Sequence, residues 1–156
     1  MMTLYQAKLA TPFAILGVRT ETDRLAGIDF LPLESASQSP QNALAEEVCR
    51  QLLAYVQDPA YCFNLPLSLN STPHRMKVWH ALMQIPSGKV EYYGDLAKKI
   101  GSSPRAVGQA CGANPIPLII PCHRVLAKSG VGGFMHHSNG TPILIKQWLL
   151  QHENVQ

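Results

Sequence analysis

No two cysteines in this chain are spaced C-x-x-C; the four present, Cys49, Cys62, Cys111 and Cys122, are scattered along it. That scatter excludes the usual structural zinc spacings and, in a reducing compartment, favours free thiols over bridges. Long apolar runs are also missing, so no segment is expected to cross a membrane. The opening residues, MMTLYQAKLATPF, lack the charged start, apolar centre and small-residue cleavage site of a signal peptide. Charged residues are only 15% of the 156 and hydrophobic ones 46%, which excludes a disordered chain and leaves room for one mid-sized or two small domains. There are no internal repeats and no low-complexity tract. The chain reads as a soluble, intracellular protein without metal; the adjacent His136-His137 pair reads as a polar loop rather than a ligand set.

Acidic residues are nearly absent from one half. Residues 1–73 carry four Lys/Arg against seven Asp/Glu, a net of −3; residues 74–156 carry nine against three, a net of +6. The basic half is the place to look for a polyanionic partner, with an ordinary solvated surface as the alternative.

Hydrophobic patterning separates the same two halves. Residues 3–33 alternate short apolar runs (13–18 and 25–31) with a polar break at 20–24, the pattern of strands joined by a hairpin turn. Ser39-Pro40 predicts a helix start, and Leu44, Val48, Leu52 and Val56 recur every four residues up to Asp58-Pro59. Residues 64–73 suggest a short strand and a linker. Thr72-Pro73 then signals a second helix, carrying Met76, Val78, Trp79, Leu82 and Ile85 and stopped by Pro86-Ser87-Gly88. In YGDLAKKIG, Tyr93, Leu96, Ala97 and Ile100 fall at i, i+3, i+4 and i+7 with Gly101 as the stop. SSPRAVGQACG follows at once, with Ser102 or Ser103 as cap and Pro104 in the first turn, which together outline a helix-turn-helix. A last helix starts near Thr141-Pro142 and carries Glu153.

Two stretches carry possible chemistry. The helix after Ser103 is nearly bare of bulk (Arg105, Ala106, Gly108), which suits close approach to another surface with one arginine reaching out. A loosely packed helix with a surface arginine is the alternative. In IIPCHRV, an apolar lead delivers Cys122, His123 and Arg124 together, a costly arrangement for groups with no task. A nearby imidazole favours a thiolate. In an extended segment, however, neighbouring side chains diverge, so His123 would act on Cys122 through a bridging water or after the chain turns. Glu153 is one of the few acids available to orient His123. A buried, inert cysteine is the alternative. Asn114-Pro115 reads as a turn, or as a tie between the cysteine loop and the arginine helix.

Taken together, IPSGKVEYYGDLAKKIG, PRAVGQA, NPIPLIIPCHRV, SGVGGF and KQWLLQHE resemble the O6-alkylguanine-DNA alkyltransferase (methylated-DNA–protein-cysteine methyltransferase) family, closely over 72–153 and in layout before that. The resemblance implies an α/β fold: an N-terminal ribonuclease-H-like sheet and helix over 1–71, and a mostly helical, winged-helix-like domain over 72–156 for DNA binding and alkyl acceptance. It implies single-turnover repair of duplex DNA from the minor groove by a monomer, without cofactor, in the cytoplasm (on the nucleoid if bacterial, in the nucleus if eukaryotic). A flipped O6-alkylguanine, or O4-alkylthymine, would pass its alkyl group to Cys122. His123 would deprotonate the thiol through water and Glu153 would orient His123. Tyr93 would support the base and protonate guanine N3. Arg105 would fill the vacated stack, with Ser103, Ala106 and Gly108 in the DNA-facing set. Asn114 would organise the site, the backbone near Val125 would read the base edge, and Phe134 would wall the pocket. Four features depart from the family pattern. Met135 replaces a small residue and the stretch from Phe134 to Lys146 is about four residues longer, which bears on pocket size and on the alkyl groups accepted; the turn between Gly101 and Arg105 is short and Gly112 offers no basic side chain after the helix, so modest DNA affinity is expected. The other readings are a non-enzymatic lesion binder, against which Cys122 argues, and a thiol hydrolase or regulator sharing the motif.

Overall fold

The computed structural model describes residues 4–137 and 139–155. The chain is mixed α/β and divides into two compact units, Met1–Leu69 and Asn70–Gln156.

In the first unit, strands β1 (Ala7–Ala10), β2 (Ile15–Glu21) and β3 (Arg24–Leu31) form an antiparallel sheet in chain order. The β2–β3 turn passes through Thr22 in the left-handed region, and a register shift sits at Arg19/Thr20. Helix α1 (Ala43–Gln57) lies on the sheet. Its Val48, Leu52 and Tyr55 meet a core that includes Leu16, Val18, Leu25 and Ile28, all buried. Two expectations are corrected here. The helix does not begin at Ser39-Pro40 but three residues later, because the Asn42 side chain accepts the Ala45 N–H at 2.8 Å and so caps the first turn. The strand expected near 64–73 is only a bridge between Leu67 and Leu25.

In the second unit, Thr72 caps α2 (Pro73–Leu82) through Arg75 N–H, with Pro73 at the first position, where its missing N–H costs nothing. Ile85 is buried but lies beyond the helix, in the turn that follows. Strand β4 (Glu91–Tyr92) runs into α3 (Tyr93–Ile100), which ends on Gly101 at φ 71°, a conformation glycine adopts without penalty. Two residues on, Ser103 accepts the Ala106 N–H and starts α4 (Pro104–Gly112). Helices α3 and α4 therefore meet through a three-residue connection, and Trp79 Nε1 donates to the Ala110 carbonyl at 2.9 Å, fixing α4 on α2. A 3₁₀ turn (Cys122–Arg124) leads into β5 (Val125–Leu126), paired in parallel with β4. Helix α5 (Thr141–His152) closes the unit, with Glu153 at its C-cap just past the last turn rather than within the helix. Among the described residues no helix is long and apolar enough to cross a membrane.

Candidate active site

The segment before Cys122 is tied down by one side chain. Asn114 Nδ2 donates to the Ile120 carbonyl at 2.8 Å, while its Oδ1 accepts Ile116 N–H at 3.0 Å. The loop between them passes through Leu118 at φ 77°, so a branched residue is held in the left-handed region at the expense of local strain. The chain then tightens into the 3₁₀ turn. Cys122, His123 and Arg124 are consequently not splayed as in an extended segment, and all three are buried.

Behind the cysteine lies a closed polar relay. His123 Nε2 meets Glu153 Oε2 at 2.8 Å, and Arg124 grips the same carboxylate with both arms, Nε to Oε1 at 2.9 Å and Nη2 to Oε2 at 3.0 Å. Its remaining Nη1 donates to the Ile85 carbonyl at 2.6 Å. Burial pushes the His123 pKa below its ordinary value, with Glu153 pulling only part of the way back. The ring is therefore neutral, and its contact with Glu153 is a hydrogen bond rather than an ion pair. Since a carboxylate only accepts, the proton sits on Nε2 and the lone pair on Nδ1. Nδ1 is the buried side-chain polar atom without a hydrogen-bond partner among the described residues. Arg124 supplies the counter-charge that lets Glu153 stay buried. Sequence reasoning placed Glu153 near His123 but gave Arg124 no part in it.

On the other side, burial pushes the Cys122 thiol up to about 11, against a hydrogen bond from the Asn114 side chain and the charge of Lys146. Lys146 is the residue that sequence reasoning missed. It is fully buried on α5, and its Nζ donates to the carbonyls of Val125 (2.7 Å) and Gly133 (2.8 Å) and approaches Tyr93 Oη at 3.5 Å. Burial lowers its pKa to about 8. Inside KQWLL it reads as an ordinary helix lysine. The one available signal was its place among apolar residues on the same helix face as Leu149 and Leu150. Tyr93 opens α3, donates to the Gly133 carbonyl at 3.3 Å, and is pushed to a higher pKa by burial, so it stays protonated.

Cys122 and Tyr93 border a cavity of about 780 Å³, a size that suits a small organic ligand or a nucleobase. Cys122, Tyr93, Arg105, Gly108, Phe134 and Met135 all line it. Ser103, at the N-cap of α4, and Ala106 do not line it, and neither do Asn114, His123, Val125 and Glu153. Arg105 is exposed, and an ideal Cβ at Gly108 would meet nothing within 4 Å, so this face of α4 is open.

Residues 73–155 match the family model described as "6-O-methylguanine DNA methyltransferase, DNA binding domain". The chain is 34% identical to the methylated-DNA–protein-cysteine methyltransferase of Saccharolobus solfataricus, over 94% of this chain and 93% of that protein. The crystal structure of the Mycobacterium tuberculosis O6-methylguanine methyltransferase is similar with a TM-score of 0.79 and 31% identity, covering 94% of this chain and 90% of that one. The M. tuberculosis OGT structure in complex with DNA has a TM-score of 0.76 at 32% identity, with the same coverage. The matched segment holds every element from α2 to Glu153, and on that likeness of sequence and fold the chain belongs to the methylated-DNA–protein-cysteine methyltransferase family.

Proposed function

We propose that the protein repairs DNA by direct reversal, taking an alkyl group from guanine O6, and from thymine O4, onto its own Cys122. The carrying observation is the buried thiol at the wall of a nucleobase-sized cavity, backed by a neutral histidine whose lone pair is its only unengaged buried group. His123 Nδ1 takes the thiol proton through a bridging water; Glu153 and Arg124 fix the tautomer and balance the charge that forms. The sulfur attacks the alkyl carbon, the carbon–oxygen bond breaks, and the electron pair leaves with guanine. Tyr93 Oη donates its proton to guanine N3, and Lys146 beside it stabilises the phenolate. The second lone pair of the Val125 carbonyl, whose first is held by Lys146, accepts from the base edge.

The lesion reaches the cavity by base flipping, as chemistry on a stacked base requires. Arg105 enters the vacated stack from the minor groove, and Ser103, Ala106 and Gly108 allow α4 to approach closely. A relative of known structure binds DNA, which supports this partner. A thioether has no route back to thiol here, so each monomer acts once and needs no cofactor. This work belongs wherever the cell keeps its DNA. We further read the two units as a ribonuclease-H-like domain over 1–71 and a winged-helix-like domain over 72–156.

Mixing the protein with duplex DNA carrying one O6-methylguanine tests this. One methyl group on the Cys122 peptide, saturating at one per protein and absent in Cys122→Ala, is the expected mass-spectrometric result. An unmodified protein that still binds the lesion would make it a non-enzymatic lesion binder.

A further inference from the structure

Gly112 ends α4 without a side chain, yet the space above it is filled. An ideal Cβ there would come within 2.3 Å of His136 Nδ1 and 2.5 Å of Cε1, so the imidazole occupies the place a side chain at 112 would take. The ring is delivered by a tight turn. Phe134 N–H donates to the His137 carbonyl at 2.8 Å and His137 N–H to the Phe134 carbonyl at 2.9 Å. The two residues between, Met135 (φ 51°) and His136 (φ 66°), both sit in the left-handed region. A two-residue turn of this type normally carries Asn-Gly, so a Met-His pair is strained, and such strain collects at functional positions. His136 is nonetheless exposed.

Its surroundings point to an anion. Arg105, Gly108 and Gly112 fall at i, i+3 and i+7 on one face of α4, and all three line the cavity with His136. Arg105 starts this face and His136 ends it, about 10 Å away along the axis. Lys128 and His137 line the same cavity, and no acidic residue does so among those described.

We propose that His136 is a DNA-backbone contact, a loop-borne replacement for the side chain that Gly112 lacks. A ring N–H donates to a phosphate oxygen beside the flipped nucleotide, while Arg105 works two turns away at the other end of the helix. This rests on the repair reading above, and it revises the part of the modest DNA affinity that was expected from Gly112.

The test is titration of the full-length protein with unmodified duplex DNA, followed by fluorescence anisotropy. His136→Gly removes the ring while keeping the turn, since glycine prefers the left-handed region, and its melting temperature should be no lower than the parent's. It should bind about tenfold more weakly, the low end of the loss for one hydrogen bond to a charged group, as suits an exposed site. Adding Gly112→Arg to that variant returns a basic group to the same seat and should restore binding. Parent-like affinity in His136→Gly overturns the proposal; so does a loss that Gly112→Arg leaves unrepaired, which assigns the effect to the shape of the turn. A parent protein that binds no duplex at all removes the repair reading and this contact together.

Discussion

At the scale of single residues, Lys146 has the most direct consequence. Burial lowers its pKa to about 8, whereas in the unfolded chain it holds its proton to the ordinary lysine value of about 10.5. Above pH 8 the folded state therefore binds fewer protons than the unfolded one, and stability rises with pH. Between pH 8 and 9 the rise from this group is about 1 kcal/mol. Cys122 acts in the opposite sense: its thiol is held up to about 11, so stability from this group is lost as the unfolded chain's thiols ionise near and above pH 9. Burial also holds up the thiols of Cys49 and Cys111, which act in the same falling sense, so the signature of Lys146 is a difference: urea unfolding at pH 7.5, 8.0, 8.5 and 9.0 should show the parent gaining about 1 kcal/mol on Lys146→Met between pH 8 and 9. A parallel pH profile for the two proteins would mean that Lys146 is not desolvated in solution.

At the scale of elements, the three-residue connection between α3 and α4 decides how Arg105 is presented. Gly101 caps α3 at φ 71°, and both its own N–H and that of Ser102 return to the Ala97 carbonyl. Gly101→Ala forces a Cβ into this conformation at a cost of about 1–2 kcal/mol, which a thermal melt would register as a lowered midpoint. An ideal Cβ at Gly101 meets no neighbour within 4 Å, so the whole effect would be conformational rather than steric. Caps of this kind were legible in the sequence wherever the signal was local: Thr72-Pro73, Gly101, Ser103-Pro104 and Thr141-Pro142 all mark helix ends. Ser39-Pro40 misled because Asn42, three residues later, offered a capping oxygen as good as serine's to a helix whose apolar spacing starts only at Leu44. The site followed the same rule. Cys122 and His123 adjoin and were readable together. Arg124 meets Glu153 across 29 residues, and Lys146 meets Tyr93 across 53, pairings that no local pattern announces. The turn that seats His136 on Gly112 was hidden for a different reason: Met-His carries none of the glycine or asparagine that marks its turn type.

At the scale of the whole molecule, charge is divided unevenly, −3 in residues 1–73 and +6 in 74–156. Nine of the thirteen Lys/Arg fall in the half that also carries the cavity, so association with duplex DNA should weaken steeply with salt. If four or five phosphates are contacted, a plot of log affinity against log salt should fall with a slope of about −4. A slope near zero would assign the excess positive charge to solubility alone.

Every residue given a role here, from Tyr93 to Glu153, lies in the second unit. The first unit holds a buried core of ordinary aliphatic and aromatic side chains and none of the groups proposed to carry the chemistry. A saturating mutational scan scored by cell survival under alkylating stress would therefore be lopsided. In the first 69 positions only folding would be selected, so tolerance should follow burial, and one aliphatic core residue should replace another freely. In the remainder, exposed positions such as Arg105 and His136 should be as intolerant as buried ones. The two halves of one chain would carry different evolutionary clocks.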